Sequence, residues 1–246
     1  GMRKIVGYYT EDYRGDPTSY GSLLPNKDSL DCIAIFLHPV DQHGRVSGET
    51  SEMAMKVAKS ESIQTLALVH NLVQGGFDEK RAHALLQSYN SRAKAISDIL
   101  KIVEEQGYDG VNVDLENVNP KDRKNLTAFM EELSARLRPR GYLVTMSVPA
   151  KTQDHAGQTW VGAFDYYALG KACDHVMLMT YDEHSQGSVS GPVASFPWVE
   201  RVIKYAITQI PKHKVLMGVP AYGYDWNLAT GRAVALSYTQ AMNRAN

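Results

Sequence analysis

Short apolar runs recur along the chain, and the longer stretches between them carry apolar residues at helical spacing. The runs are nearly continuous rather than alternating, which is typical of strands buried on both faces of a parallel sheet. They lie at residues 4–9, 32–37, 65–70, 110–115, 142–148, 175–181 and 214–220. Ile96, Ile99 and Val103 fall on one face of a helix predicted over residues 93–105. Regular alternation of strand and helix predicts parallel βαβ units.

This alternation predicts an α/β fold, a barrel of the TIM (β/α)8 type, because one such barrel takes about 250 residues and the chain has 246. The pattern supplies seven strands, whereas a closed barrel has eight. We expect one domain over residues 1–246, truncated at its C-terminus, with no strand after Ala233. The missing strand would leave a gap with unpaired edges between the seventh and first strands. An open doubly wound sheet is the alternative, although no Gly-x-Gly-x-x-Gly follows the first strand.

Composition and charge narrow the class of protein. The chain has 26 Lys and Arg against 27 Asp and Glu, a net charge of −1, so it has no basic excess for binding nucleic acid. No apolar run approaches the ~20 residues that span a bilayer. Cys32 and Cys173 are predicted to be buried thiols. No signal peptide is predicted, and Gly1 before Met2 resembles the remnant of a cleaved tag.

The fourth predicted strand carries a row of polar residues. Side chains alternate across a strand, so Asn112, Asp114 and Glu116 share one face at intervals of roughly 6.6 Å. In a barrel this row points inward and climbs to the C-terminal mouth, where barrel enzymes place their chemistry. Two neighbouring carboxylates repel, so one should resist ionisation and can serve as a general acid. Spacing alone thus predicts an acid–base site with the reaction left open; the alternative is a strand end with solvated acids.

Four segments carry a family resemblance. The run at residues 109–116 resembles the Asp-Gly-x-Asp-x-Asp-x-Glu motif of glycoside hydrolase family 18, the chitinase family, except at Asn112, where most chitinases have Asp. Residues 7–9 are similar to the family's Gly-Tyr-Tyr, residues 179–182 to its Met-x-Tyr-Asp, and residues 218–223 to its Gly-x-Pro-x-Tyr-Gly. The segments follow the family's order and span essentially the whole chain. The likeness therefore implies a catalytic domain with the family's barrel.

The resemblance implies substrate-assisted retaining hydrolysis, in which the substrate's own 2-acetamido group is the nucleophile. Glu116 is expected to protonate the leaving oxygen and Asp114 to orient the acetamido group, with Tyr181 holding the acetamido oxygen. The residues expected to bind substrate are Asn112, Asp182, Met179, Tyr8, Tyr222, Asn71 and Trp226. Neither a metal nor a cofactor is expected.

The likeness is greatest to the bacterial spore-cortex-lytic and sporulation-associated N-acetylglucosaminidases, through residues 109–118, 180–184 and 191–195. Asn in place of the first inner Asp also recurs in that branch. The likeness to this branch implies cleavage of β-1,4 bonds next to N-acetylglucosamine in peptidoglycan, including spore cortex. It also implies a location in the cell envelope, the spore or outside the cell. No oligomeric state is implied.

Three alternatives stay open or are set aside. Chitin oligomers also carry N-acetylglucosamine and are a second candidate substrate. A non-catalytic, lectin-like protein of the same fold is another, because a chain without an eighth strand lacks the Trp that this strand brings to the family's central sugar site. A metal-dependent hydrolase is set aside, because the histidines His70, His155, His175 and His184 show no recognised ligand spacing.

Overall fold

Strands form a closed barrel, and helices pack around its outside. The computed structural model describes residues 5–9, 31–180, 196–220 and 233–237. The strands are β1 Ile5–Tyr9, β2 Cys32–Pro39, β3 Gln64–His70, β4 Leu72–Val73, β5 Gly76–Phe77, β6 Gly110–Asp114, β7 Leu143–Pro149, β8 His175–Met179, β9 Val215–Pro220 and β10 Ala233–Ser237. The helices are α1 Glu52–Ser60, α2 Glu79–Leu86, α3 Tyr89–Gln106, α4 Arg123–Leu137, α5 Tyr166–Ala172 and α6 Phe196–Gln209. Single 3-10 turns lie at Pro120–Asp122, Arg138–Arg140 and Lys212–Lys214.

The order of strands around the barrel is β1-β10-β9-β8-β7-β6-β3-β2. The run from β1 through β2, β3, β6, β7, β8 and β9 is parallel at every step, which confirms the seven predicted strands and the barrel class. β4 and β5 form a separate small hairpin in the connection between β3 and α2. Parallel strands therefore build almost the whole wall, as the sequence pattern indicates.

The expectation of a gap between the seventh and first strands is wrong. β10 fills it and runs antiparallel to both neighbours, with Leu236 opposite Ile5 of β1 and Val234 opposite Val219 of β9. The strand begins at Ala233, beyond which no strand was predicted. It was missed because an antiparallel neighbour needs no helical crossover, whereas the pattern sought strands in strand–helix units. No eighth parallel strand occurs in the ranges that the structure describes.

Strand residues alternate between the barrel interior and the side that faces the helices. Val6, Cys32, Ala34, Phe36, Leu66, Leu68, Met177 and Leu216 form the apolar interior. Val111, Val113 and Leu115 belong instead to the larger cluster between the barrel and the helices. Because successive side chains of β6 point to opposite faces, Asn112 and Asp114 face the interior, as predicted.

Local signals set the ends of the helices. α3 begins after Ser88, whose hydroxyl accepts a hydrogen bond from the Ser91 amide at 3.1 Å, and ends at Gly107, which has φ +79°. Its buried face includes Ile96, Ile99 and Val103, the positions predicted from spacing. The helix begins at Tyr89, before the predicted start at residue 93. The prediction missed the first turn because that turn carries no apolar residues at helical spacing.

The two cysteines lie on opposite sides of the barrel wall. Cys32 belongs to the interior cluster and Cys173 to the outer one, and both are buried free thiols, as predicted. Burial raises the pKa of the Cys173 thiol to about 12, which keeps it protonated and unreactive. Across the described ranges, no helix combines the length and apolar character that crossing a bilayer requires.

Candidate active site

The polar row of β6 is held by hydroxyl groups of the neighbouring strand β7. The Asn112 amide donates a hydrogen bond from Nδ2 to the Ser147 Oγ at 3.1 Å and accepts one at Oδ1 from the Thr145 hydroxyl at 2.8 Å. All three side chains are buried in the barrel. Both ends of the amide are therefore paired, which fixes its orientation beside the next interior residue of the row, Asp114.

Tyr8 of β1 lies across the interior from this row. Its hydroxyl lies 3.3 Å from the Ser147 Oγ and 3.1 Å from the Met177 Sδ. Burial raises the pKa of the Tyr8 phenol above its usual range against the lowering effect of the Ser147 hydrogen bond, and the negative charges of Asp114 and Glu116 raise it further. Tyr8 is therefore a neutral phenol, and it shares the Ser147 hydroxyl with Asn112 of the row.

Glu116 lies two residues beyond the end of β6 and is half-buried. Its main-chain N–H donates to the Asn71 Oδ1 at 3.0 Å, and its carbonyl accepts from the Asn71 Nδ2 at 2.8 Å. Asn71 follows β3 directly and is fully buried, and its Nδ2 also donates to the Asp78 carbonyl at 2.9 Å. Two main-chain carbonyls thus take both amide hydrogens of Asn71, whose expected contact with a sugar stays a prediction.

Two further asparagines join the segment after Glu116 to the β4–β5 hairpin and the start of α2. Asn117 donates from Nδ2 to the Phe77 carbonyl at 3.1 Å and adopts φ +54°, a left-handed conformation that Asn tolerates better than most residues. Asn119 donates from Nδ2 to the Glu79 Oε1 at 2.7 Å. The segment that carries the acid is consequently bonded along its length to the neighbouring connection.

His70 is an interior residue that the sequence analysis considered only as a metal ligand. It lies opposite Asp114 in the register of β3 and β6, on the same interior face. Its ring stacks on Phe36 with centroids 4.1 Å apart, and its Nδ1 accepts a hydrogen bond from the Leu72 amide at 3.1 Å. An accepting Nδ1 places the ring proton on Nε2. The available signal was its position at the end of the third strand, matching Asp114 at the end of the fourth.

The loop between β7 and α5 is tied to the start of α4 by a charged cluster. The Arg123 guanidinium makes a bidentate contact with the Asp154 carboxylate at 3.0 and 2.8 Å and donates to the Gly162 carbonyl at 2.9 Å. The hydrogen bond from Arg123 lowers the pKa of Asp154. Buried Lys151 donates to the same carboxylate at 3.1 Å. These contacts hold together the connections that follow β6 and β7.

The other predicted site residues divide into one described residue and four that are not. Met179 ends β8 on the interior side, one alternation beyond Met177, and it is half-buried at the C-terminal mouth. Four predicted site residues, Tyr181, Asp182, Tyr222 and Trp226, lie outside the described residues. The structure therefore places five of the predicted site residues together at one end of the barrel interior: Tyr8, Asn112, Asp114, Glu116 and Met179.

This arrangement can perform acid–base chemistry on a neutral substrate. A buried carboxyl group, Asp114, lies within the barrel, and a second one, Glu116, stands at the mouth with partial access to solvent. Carboxyl groups in such different surroundings can take different protonation states, the usual basis for separate acid and charge-stabilising roles. The neutral phenol of Tyr8 and the paired amide of Asn112 add polar groups that carry no charge.

Comparison with known proteins identifies the family of the chain. The family described as "Glycosyl hydrolases family 18" matches residues 4–245. The chain is 34% identical over 217 residues to YdhD of Bacillus subtilis, provisionally named a sporulation-specific glycosylase, which covers 87% of this chain and 51% of that protein. It is 31% identical over 180 residues to the cortical fragment-lytic enzyme of Bacillus anthracis, covering 73% of this chain and 41% of that protein.

A solved structure gives the same result for the fold. The crystal structure of a chitinase from Chromobacterium violaceum superposes with a TM-score of 0.79 at 28% identity, covering 89% of this chain and 69% of that one. The chain spans about half the length of the curated relatives it matches, 51% of one and 41% of another.

Proposed function

The chain belongs to glycosyl hydrolases family 18, and we propose that it hydrolyses β-1,4 glycosidic bonds next to N-acetylglucosamine in peptidoglycan, spore cortex included. The observation that carries this proposal is the placement of Asp114 in the barrel interior with Glu116 just above it at the mouth. A fold without a proton donor at that position would support binding alone. The presence of both carboxyl groups favours catalysis.

The proposed reaction proceeds in two steps. Glu116 donates its proton to the glycosidic oxygen while the acetamido carbonyl oxygen of the substrate attacks the anomeric carbon, which breaks the glycosidic bond and forms an oxazolinium ion. Glu116, now a carboxylate, takes a proton from water as the water opens that ion. Asp114 hydrogen-bonds the acetamido N–H and balances the positive charge, and Tyr181 holds the acetamido oxygen. The configuration at the anomeric carbon is retained.

Because residue 112 is Asn, the site has no second carboxyl group at this interior position. Asn112 cannot carry a charge or share a proton with Asp114, and its Oδ1 and Nδ2 are hydrogen-bonded to Thr145 and Ser147, respectively. Asp114 is then the one carboxylate of the β6 row inside the barrel. The proposed mechanism needs no more, because one interior negative charge suffices to balance the oxazolinium ion.

The relatives support peptidoglycan as the substrate and keep chitin as the second candidate. One curated relative is named a cortical fragment-lytic enzyme, which favours a cell-wall glycan and a location in the envelope, the spore or outside the cell. The chitinase superposes over 89% of this chain, which favours chitin oligomers as the alternative. Both polymers present the acetamido group that the mechanism uses.

Digestion of cortex peptidoglycan and of a chitin oligomer in parallel, with analysis of the new reducing ends, tests the proposal. The expected products from cortex end in N-acetylglucosamine of retained configuration, and Glu116→Gln is the matched inactive control. Binding of these glycans without any cleavage would establish the lectin-like alternative. Faster turnover of the chitin oligomer than of cortex would overturn the choice of substrate but leave the mechanism standing.

A further inference from the structure

Asn71 is bonded through its side-chain amide to both main-chain groups of Glu116. Resting on the function proposed above, we propose that Asn71 is a positioning residue, which fixes the main chain of Glu116 and thereby the reach of its carboxyl group toward the glycosidic oxygen. This role differs from the sugar contact that the family resemblance led us to expect. It assigns the residue to the acid rather than to the substrate.

The two bonds extend a sheet ladder that would otherwise end. β3 and β6 pair in parallel from Leu66 opposite Gly110 to His70 opposite Asp114. After His70 the chain enters the β4–β5 hairpin, which belongs to a separate sheet, so on the β3 side Glu116 no longer has a neighbouring strand. The Asn71 amide replaces it, accepting the Glu116 N–H at 3.0 Å and donating to the Glu116 carbonyl at 2.8 Å. A side-chain amide offers the acceptor and the donors that this substitution requires.

Rigid elements anchor the amide on both sides. Asn71 follows the last residue of β3, and its own carbonyl accepts a hydrogen bond from the Asp78 N–H at 2.8 Å. Its second amide hydrogen goes to the Asp78 carbonyl at 2.9 Å, and Asp78 is the N-cap of α2. A strand end and a helix start thus hold the side chain that holds Glu116, which is the kind of support that a catalytic group needs.

The rate of proton transfer depends on how close the Glu116 carboxyl group lies to the glycosidic oxygen. A general acid must come within about 2.6–3.2 Å of the atom it protonates, and a displacement of about 1 Å can cost about a hundredfold in rate. We therefore expect Asn71→Ala to lower kcat on a natural glycan by about ten- to a hundredfold, with KM changed little. An Asn71 that bound the sugar would instead show its main effect in KM.

The leaving group separates positioning of the acid from general damage. An aryl N-acetylglucosaminide with an activated leaving group needs little protonation, so a defect that acts through the acid should shrink on it. We expect the rate deficit of Asn71→Ala to fall in parallel with that of Glu116→Gln when the two substrates are compared. A loss of folded protein would lower both rates by the same factor.

A double-variant cycle gives a second readout of the same link. If Asn71 acts through Glu116, adding Asn71→Ala to Glu116→Gln should change kcat less than twofold, because the group being positioned has already lost its proton. Independent roles would multiply the two losses. The cycle is measured on one natural oligomer with all four proteins.

Glu79→Ala is the matched control. It removes the hydrogen bond between Glu79 and Asn119, which joins the same two connections at an exposed site without touching Glu116. We expect this variant to keep the wild-type kcat on both substrates. If Asn71→Ala fails to fold, Asn71→Ser keeps a polar group there, has a single hydrogen that cannot replace both amide donors, and takes the same tests.

The outcomes distinguish this inference from the proposed function. Absence of glycan cleavage by the wild-type chain would refute the proposed function. Wild-type cleavage together with an unchanged kcat for Asn71→Ala, or with a deficit independent of the leaving group, would refute the positioning role alone. A large rise in KM with kcat preserved would return Asn71 to the substrate-binding residues.

Discussion

Protonation of His38 should weaken the fold in mild acid. His38 is fully buried at the end of β2; its Nδ1 lies 3.0 Å from the Ser47 carbonyl and its Nε2 lies 2.7 Å from the Tyr108 hydroxyl. A carbonyl can only accept, so Nδ1 carries the proton, and Nε2 accepts from Tyr108. A second proton on Nε2 would force the Tyr108 hydroxyl to turn from donor to acceptor and would place a charge in the core.

The magnitude follows from the pKa of this imidazole. Burial lowers the pKa of His38 from 6.5 to about 4, against a smaller raising effect of the Ser47 hydrogen bond. The unfolded chain binds a proton below pH 6.5 while the folded chain does not until about pH 4, so stability is lost as the pH falls through this window. Linkage gives a loss of about 2 kcal/mol at pH 5 and about 3 kcal/mol once both states are protonated.

Urea unfolding at a series of pH values between 7.5 and 4.5 measures this effect. His38→Asn retains a donor for the Ser47 carbonyl but cannot titrate, so it should be less stable than wild type at pH 7.5 and lose less on acidification. The gap between the two unfolding free energies should narrow by about 2 kcal/mol at pH 5. The same substitution at exposed His43 is the matched control. A gap that stays constant with pH would refute the reasoning.

Three further predictions concern the site and the barrel. Glu116→Gln should lower kcat on a natural glycan by about 10²–10⁴-fold while the Kd for the glycan is retained, and wild-type turnover in this variant would show that the acid is misassigned. Asp114→Asn should also slow turnover, but an activated aryl leaving group should not restore its rate, since the lost charge and not the proton is limiting; recovery would contradict the assignment. Removal of residues 233–246 should expose the edges of β1 and β9 and produce aggregates in size-exclusion chromatography, whereas a monodisperse monomer would show that β10 is dispensable.

The parallel part of the barrel could be predicted from the sequence, because a strand buried on both faces is apolar at nearly every position. The strand runs at 32–37 and 65–70 are apolar for this reason, and each corresponds to a strand of the structure. The interior face of β6 could be predicted as well, because alternation along a strand is a local property that needs no partner.

The contacts that hold the acid could not be predicted, because they join residues distant in the chain. Asn71 and Glu116 are 45 positions apart, and nothing in the local pattern of either segment indicates that they meet. The sequence gives only the residue type of Asn71 and its place after a strand, which fits a sugar contact as well as a bond to main chain. β10 was missed for a related reason, since its partners β1 and β9 are set by closure of the barrel.

The neighbours of Asn112 suit an amide better than the carboxylate that most members of the family have at this position. An Asp at this position would lose the donor that now serves Ser147 and would bring a second buried negative charge into the same row as Asp114. The hydroxyls of Thr145 and Ser147 give an amide one donor and one acceptor, whereas a second carboxylate beside Asp114 would require a shared proton or a cation. With Asn at this position, Asp114 is the one carboxyl group of the β6 row inside the barrel, which is what the proposed substrate-assisted reaction requires. A row of one amide and two acids thus supplies the proton donor and the counter-charge that the proposed reaction uses, so Asn112 is compatible with that proposal.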